Sequence, residues 1–216
     1  MPRPPMYFDP ESMSSANTYK LIASTVVPRP IAWLVTRSPA GTLNAAPFSF
    51  FNAFSGAPPV IALGIAPHPT REKDSFSNIE TQGEFVVNMV PYALAGAMNT
   101  TAVDFPQGHD ELEVAGLATL PSEKIAVPRI AASPVAYECR LQQIVDINAP
   151  NRLVLGRVVA IHIDDAAVLD PERCHIDTAR LDLIGRTRSP GGYVRLSDAF
   201  EMPLRNHAQW QAEQQA

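Results

Sequence analysis

The stretch NAAPFSFFNAFS, residues 44–55, decides how the chain is read. Phe48, Phe50 and Phe54 fall on alternate positions, the spacing that sends side chains to one face of a strand. The other parity carries Ala45, Pro47, Ser49, Phe51, Ala53 and Ser55, mostly small, with hydroxyls and a proline that cannot donate to a ladder. A strand facing water carries charges, and this one has none; a strand facing a core carries Val, Ile or Leu. Asn52 adds an amide that is costly to bury unpaired. Small residues with scattered hydrogen-bonding groups suit a surface on which something flat and partly polar lies. We therefore expect the phenylalanines to hold this strand to the core and the small face to form a ligand shelf.

Outward from that stretch the chain reads as short strands separated by turn residues. RPIAWLVTR (29–37) runs through SPAGT into the stretch, with Gly41 in the turn. PPVIALGIA (58–66) is an apolar run long enough for a buried strand. KDSFSNIETQGEF predicts a short helix capped by Asp74 or Ser75, with Ser77 and Glu80 at capping-box spacing and Gly83 as the stop. EFVVNMV (84–90) is a strand, and ALAGAMNTTAV (93–103) a second short helix. The proline-spotted run from Phe105 to Pro134 is expected to be irregular and superficial. VAYECRLQQIVDI (135–147) and RLVLGRVVAIHID (152–164) alternate as two long antiparallel strands. From Asp165 to Ala216 we expect loops and a tail with little periodicity. Six or so strands with short helices between them predict a mainly β, α+β fold, a closed or partly closed β-barrel. A doubly wound sheet is disfavoured because helices do not follow each strand in turn.

The chain of 216 residues fits one domain, 1–216, large enough to bury a core without staples. Hydrophobic residues make up 46% and charged residues 18%, a globular and lightly charged composition. A net charge of −5 argues against nucleic acid, whose phosphates want a basic face. Proline outnumbers glycine, 21 to 11, which favours strands joined by stiff loops over long helices. Cys139 and Cys174 form no CxxC and have no His-rich partner pattern, so we expect reduced thiols and no metal site. No apolar run approaches the ~20 residues of a membrane span, and MPRPPMYFDPES lacks a signal-peptide core. The expectation is a soluble, cytoplasmic protein with no membrane partner.

Two segments carry candidate binding chemistry. Arg71-Glu72-Lys73-Asp74-Ser75 precedes the first predicted helix, where cations, a hydroxyl and free backbone N–H groups converge on an anion. A capped helix with solvated charges is the plainer reading of the same residues. The second segment is the shelf itself. Together they offer a flat apolar surface and a phosphate clamp, the requirements of a flavin mononucleotide. His68, just ahead of the anion site, could approach a ring or a nicotinamide, but an ordinary loop histidine is the plainer reading. His162, on a strand, reads as a satisfied structural histidine, and Cys139 as a small buried hydrophobe. His109 and Asp110 find no partner in the sequence. Ser49 lacks the GxSxG elbow of a hydrolase nucleophile, and neither GxGxxG nor GxxxxGK[ST] occurs.

RPIAWLVTRSPAGTLNAAPFSFFNAFSGAPPVIALGI, KDSFSNIETQGEFVVNMV, AMNTTAVDFPQGHDELEVAGL, SPVAYECRL, GRVVAIHIDD, DTARLDLIGR and YVRLSDAFEMP closely resemble the flavin reductase-like FMN-binding proteins, including flavoredoxin-type members. The resemblance runs from about Tyr19 to Pro203. It implies a split β-barrel that forms a homodimer with FMN near the subunit interface. It also implies that Ala46, Pro47, Phe48, Ser49, Asn52 and Ala53 run along the flavin and its ribityl chain. Arg71, Lys73, Asp74 and Ser75 would hold the phosphate, with Arg29-Pro30 opening the strand beside it. Ser75 stands where many relatives carry Thr, which keeps the hydroxyl.

The activity so implied is NAD(P)H-dependent FMN reduction, a hydride passing from NADH or NADPH to the flavin, with reduced flavin going to an acceptor such as a monooxygenase. No side-chain acid or base is strictly required, which fits the absence of a catalytic dyad. Two other readings share every motif: an FMN electron-transfer protein reduced by a partner protein, and a flavin-binding module without turnover.

Overall fold

A computed structural model of the chain describes residues 5–148 and 151–214. Its centre is a seven-stranded sheet of β1 (Ala32–Arg37), β2 (Leu43–Phe48), β3 (Phe51–Gly56), β4 (Pro59–Ile65), β5 (Glu84–Asn88), β8 (Val135–Asn148) and β9 (Asn151–Ile163). Two short strands, β6 (Thr119–Leu120) and β7 (Arg129–Ile130), pair apart from it. The main sheet runs β2-β1-β5-β8-β9-β4-β3, and every pairing in it is antiparallel. Its two end strands, β2 and β3, are consecutive in the chain and joined only by Ser49 and Phe50. The sheet therefore bends round until its first and last strands meet at that junction without pairing. This is a split β-barrel, as expected.

The opening stretch is accordingly two strands and not one. β2 pairs with β1 from Ala32↔Phe48 to Arg37↔Leu43, while β3 pairs with β4 at the opposite end of the sheet. The register of β3 shifts between Ala53 and Ser55, so Phe54 is a bulged, unpaired residue. Alternation is lost across the junction and again at the bulge. Of the phenylalanines expected in the core only Phe48 is buried; Phe50 is 40% and Phe54 69% exposed. Phe51, assigned to the small face by parity, packs instead against the barrel core.

The barrel interior is filled by Ala32, Leu34, Phe48, Leu63, Phe85, Val87 and Val154, with Phe76 and Ile79 supplied by the helix α2 (Asp74–Gln82). That helix ends at Gly83 in the left-handed conformation, the stop its sequence signals. Phe85 lies so close over Gly156 that a Cβ there would fall well inside contact distance of its ring. Trp33, Val35, Ala45, Val86 and Ala136 face outward from the same strands and are also buried. They are covered by Met98 of α3 (Ala95–Thr100), Leu112 of α4 (Glu111–Val114), Val127 and Ile130. The segment from Phe105 to Pro134 thus corrects the expectation of a superficial loop: it is largely irregular, yet it seals the barrel's outer face.

The last fifth is also more ordered than expected. It forms the pairs β10 (Val168–Asp170) with β11 (His175–Ile176) and β12 (Ile184–Arg188) with β13 (Gly192–Arg195). The helix α5 (His207–Gln214) follows. An N-terminal helix, α1 (Ser15–Thr25), packs near β12. Among the described residues, no helix is long and apolar enough to cross a membrane.

Candidate functional site

The helix α2 begins one residue earlier than a cap at Asp74 predicts and two earlier than a cap at Ser75. Lys73, not Asp74 or Ser75, holds the N-cap position, and no side chain caps the helix. The N–H groups of Phe76 and Ser77 bond to the Lys73 carbonyl, which leaves those of Asp74 and Ser75 as the open donors at the helix start, among the described residues. The Lys73 ammonium lies 5.4 Å over the Phe48 ring, so the helix start sits directly against the end of β2. Burial pushes the Lys73 ammonium below its ordinary value, with Asp104 opposing and Arg71 reinforcing that shift.

The neighbouring residues of the predicted clamp face elsewhere. Arg71 donates to Asp104 Oδ1 and to the Phe105 carbonyl, both at 2.9 Å, and lies 3.5 Å from Asp74 Oδ1. Asp74 Oδ2 accepts the Gly108 N–H at 3.1 Å. These two residues tie the 104–108 loop to the helix start. Ser75 is buried, and its hydroxyl donates to Asn44 Oδ1 on β2 at 2.6 Å. Of the two cations of the predicted clamp, Lys73 has no carboxylate in ion-pair range among the described residues.

The β2–β3 junction is held from its other side. Arg29 is buried; its Nη1 donates to the carbonyls of Ala23 and Val26 at the end of α1, and its Nε to Ser49 Oγ at 3.4 Å. Its guanidinium also lies 5.7 Å over the Phe50 ring. Burial pushes it below its ordinary pKa. Arg29 therefore pins the junction to α1, and the half-buried Pro30 follows it in the chain just before β1. Along the junction Ala46 and Pro47 are half-buried, while Asn52 and Ala53 are exposed. The Asn52 amide is not stranded in a core: its Oδ1 accepts the Ala53 N–H at 2.8 Å.

The predicted residues thus form a continuous strip from the open start of α2, across Lys73 and Phe48, to Ser49 and the exposed beginning of β3. Arg29, Arg71 and Asp74 brace its two sides. His68 sits at the margin, with Nε2 2.9 Å from Asp104 Oδ2. That contact, first, and Arg71 hold the exposed Asp104 carboxyl below its usual range. Sequence patterning gave no sign of Asp104, because its partners lie 33 and 36 residues away.

Away from the strip, His162 Nε2 lies 2.6 Å from Oε1 of Glu138, a carboxylate with no exposed surface. Glu138 also accepts the N–H groups of Glu123 and Lys124 at 2.6 and 2.7 Å. His162 is a satisfied structural histidine, as the sequence reading has it. His109 stacks on Phe105, and Asp110 caps α4 by accepting from Leu112 and Glu113. Cys139 is buried and Cys174 exposed, and both are free thiols.

The sequence profile described as "Flavin reductase like domain" matches residues 23–175. A protein of Deinococcus radiodurans is 43% identical over 97% of this chain and 94% of its own. Among solved structures, nitrilotriacetate monooxygenase component B from Bacillus cereus is similar with a TM-score of 0.87 at 28% identity, covering 93% of this chain and 100% of that one. The 2-nitrobenzoate 2-nitroreductase of Pseudomonas fluorescens is similar with a TM-score of 0.86 at 31% identity, covering 94% and 98%.

Proposed function

The chain belongs to the flavin reductase-like family, and from that premise we propose that it is an NAD(P)H-dependent FMN reductase acting as a homodimer. The observation that carries this reading is the uncapped start of α2, with the half-buried, unpaired Lys73 laid over Phe48. A phosphate at that point meets open backbone donors, the positive end of the helix dipole and one cation. The donor set fits a phosphorylated flavin, because the strip leading away from it is thin, exposed and rich in small residues. In this reading Lys73 and the Asp74 and Ser75 amides receive the phosphate. Ala46, Pro47, Phe48, Ser49, Asn52 and Ala53 border the ring and ribityl chain. Arg29, with Pro30 following it, holds the junction in place, and Arg71 and Asp74 hold the 104–108 loop. Ser75 contributes its backbone, since its hydroxyl is turned inward to Asn44.

Flavin, when bound, supplies the hydride chemistry. The chain's residues bind, orient and exclude water; none is asked to move a proton, so no catalytic side chain is assigned. NADH or NADPH reaches the site by stacking, which needs no dinucleotide-binding motif. The exposed apolar residues Phe54, Phe200, Met202 and Leu204 offer surface for a second copy to cover. Reduced flavin passes to an acceptor such as a monooxygenase, and the protein works in the cytoplasm.

The test is the absorbance spectrum of purified protein loaded with FMN, followed by anaerobic addition of NADH and of NADPH. Bleaching of the flavin band by either nucleotide, with turnover when free FMN and air are supplied, is the expected result. Binding without bleaching would move the protein to electron transfer from a partner protein. No binding of flavin would overturn the reading altogether. Sedimentation of the flavin-loaded protein as a stable monomer would remove the dimer.

A further inference from the structure

Five polar side chains are buried together where β1, β2, α2 and α4 meet: Thr36, Asn44, Ser75, Asn78 and Glu111. Only Glu111 is ionisable, and it is 7% exposed. Its Oε2 accepts two bonds, one from Asn44 Nδ2 at 3.0 Å and one from the Ala45 N–H at 2.9 Å. Asn44 Oδ1 in turn receives Ser75 Oγ at 2.6 Å and Thr36 Oγ1 at 3.4 Å, and Asn78 Nδ2 donates to Thr36 Oγ1 at 3.0 Å.

The arrangement has a direction. β2 is an end strand of the sheet, so its outward N–H groups have no ladder partner. Glu111 receives one of them. Glu111 offers only acceptors, so the Asn44 amide must turn its NH2 toward it and its oxygen toward Ser75. Ser75 lies in the first turn of α2, two residues after Lys73. One carboxylate therefore fixes both the edge of β2 and, through Asn44, the start of α2. Burying a lone carboxylate is a poor way to gain stability alone, since apolar residues of similar volume serve as well or better. Burial pushes its carboxyl above the usual range, and the Ala45 and Asn44 bonds oppose that shift.

We propose that Glu111 is a positioning residue that sets the spacing between the β2 shelf and the phosphate-binding start of α2. This rests on the FMN reading above. The consequence concerns ligands that touch both parts at once. FMN spans shelf and helix start, whereas riboflavin engages only the shelf. Losing Glu111 lets the two parts drift and so penalises FMN selectively. A merely structural role lowers stability without altering the preference for FMN over riboflavin.

The experiment titrates FMN and riboflavin, by quenching of flavin fluorescence, into the parent, Glu111→Ala and Glu111→Gln, with a thermal melt of each. Glu111→Ala is expected to weaken FMN by about ten-fold while riboflavin changes by less than about two-fold. Glu111→Gln keeps an acceptor oxygen and is expected to recover FMN to within about three-fold of the parent. Should Glu111→Ala fail to fold, Asn44→Ser, which cuts the link to Ser75 and leaves the Ala45 bond, carries the same selective loss. Equal losses for both flavins, or a lower melting temperature with the preference intact, would overturn the positioning role alone. A parent that binds neither flavin would overturn the FMN reading, and the role of Glu111 with it.

Discussion

Lys73→Ala separates a phosphate clamp from an ordinary helix end. Among the described residues the Lys73 ammonium has no acidic partner in ion-pair range; it stands over the Phe48 ring at 5.4 Å and is partly withdrawn from water. Its neighbour Arg71 is already engaged by Asp104 and the Phe105 carbonyl. Of the two cations beside the start of α2, Lys73 is therefore the one left for a phosphate, among the described residues. A charge-assisted hydrogen bond is worth ~1.5–3 kcal/mol, and partial exposure of Lys73 favours the lower part of that range. Removal of one such bond weakens FMN by about ten- to a hundred-fold. Riboflavin keeps the ring and ribityl contacts and lacks the phosphate, so its affinity should barely change. The cation–π contact with Phe48 is lost as well, about 0.5–1 kcal/mol of stability at an exposed site. That loss registers in the thermal melt and is common to both flavins, so it does not imitate the selective effect. Raised salt should narrow the difference between parent and variant, since the Debye length falls to about 3 Å at 1 M. Fluorescence titration of both flavins, at low and high salt, decides the matter. Equal losses for FMN and riboflavin would show that Lys73 supports the junction and not the phosphate. No loss for either would leave the start of α2 as an uncapped terminus, with the phosphate held elsewhere.

Ala53→Phe should abolish binding of FMN and riboflavin alike, because a ring needs a thin shelf to reach contact at about 3.5–4 Å. Ala53 is exposed, so stability should stay within about 0.5 kcal/mol of the parent, and unchanged flavin affinity would place the shelf on another face. Gly156→Ala should cost about 1–3 kcal/mol in a denaturant melt, since the fully buried Phe85 ring above it has no room to retreat. A variant as stable as the parent would mean that the barrel interior is more loosely packed than its geometry indicates. His162→Ala, which leaves no donor in place of the imidazole, should move acid unfolding to higher pH. Burial alone would raise the Glu138 carboxyl, but the bonds from His162, Glu123 and Lys124 outweigh it and hold the group below its ordinary 4.5. A depressed carboxylate stabilises the fold above its unfolded pKa and loses that contribution as pH falls through the folded value. Loss of His162 raises the folded value, so the fold is lost earlier on acidification. A circular-dichroism titration with an unmoved midpoint would show that the backbone donors alone hold the charge.

Much of the barrel was legible because its strands advertise themselves locally. β8 and β9 alternate over long runs, β4 is a continuous apolar segment, and α2 ends at a glycine that adopts the left-handed backbone its position requires. The junction at Ser49 and Phe50 was not legible. A strand that continues and a strand that stops are written with the same apolar residues when both flanks are β. The choice is made by pairing, β2 with β1 and β3 with β4, at opposite ends of the sheet. Parity alone therefore places Phe50 and Phe54 on a face that the pairing does not give them. The bulge at Phe54 compounds it, since an extra residue reverses parity without leaving a mark in composition.

The candidate site divides in the same way. Its residue types were readable, because cations beside a helix start and small residues along a strand have a physical meaning wherever they occur. Their division of labour was not. By propensity Asp74 and Ser75 are the better caps, yet Lys73 takes that position. Ser75 is drawn inward by Asn44, which is itself held by Glu111, 67 residues further along the chain. Arg71 and Lys73 look equivalent in the run REKDS, and only the fold sets them apart. Asp104 engages one cation, and the other is left over Phe48 with no carboxylate in ion-pair range among the described residues. A ligand phosphate at the start of α2 would complete the set of charges there, which is why the unpaired lysine and not the paired arginine is where the FMN reading is most exposed to refutation.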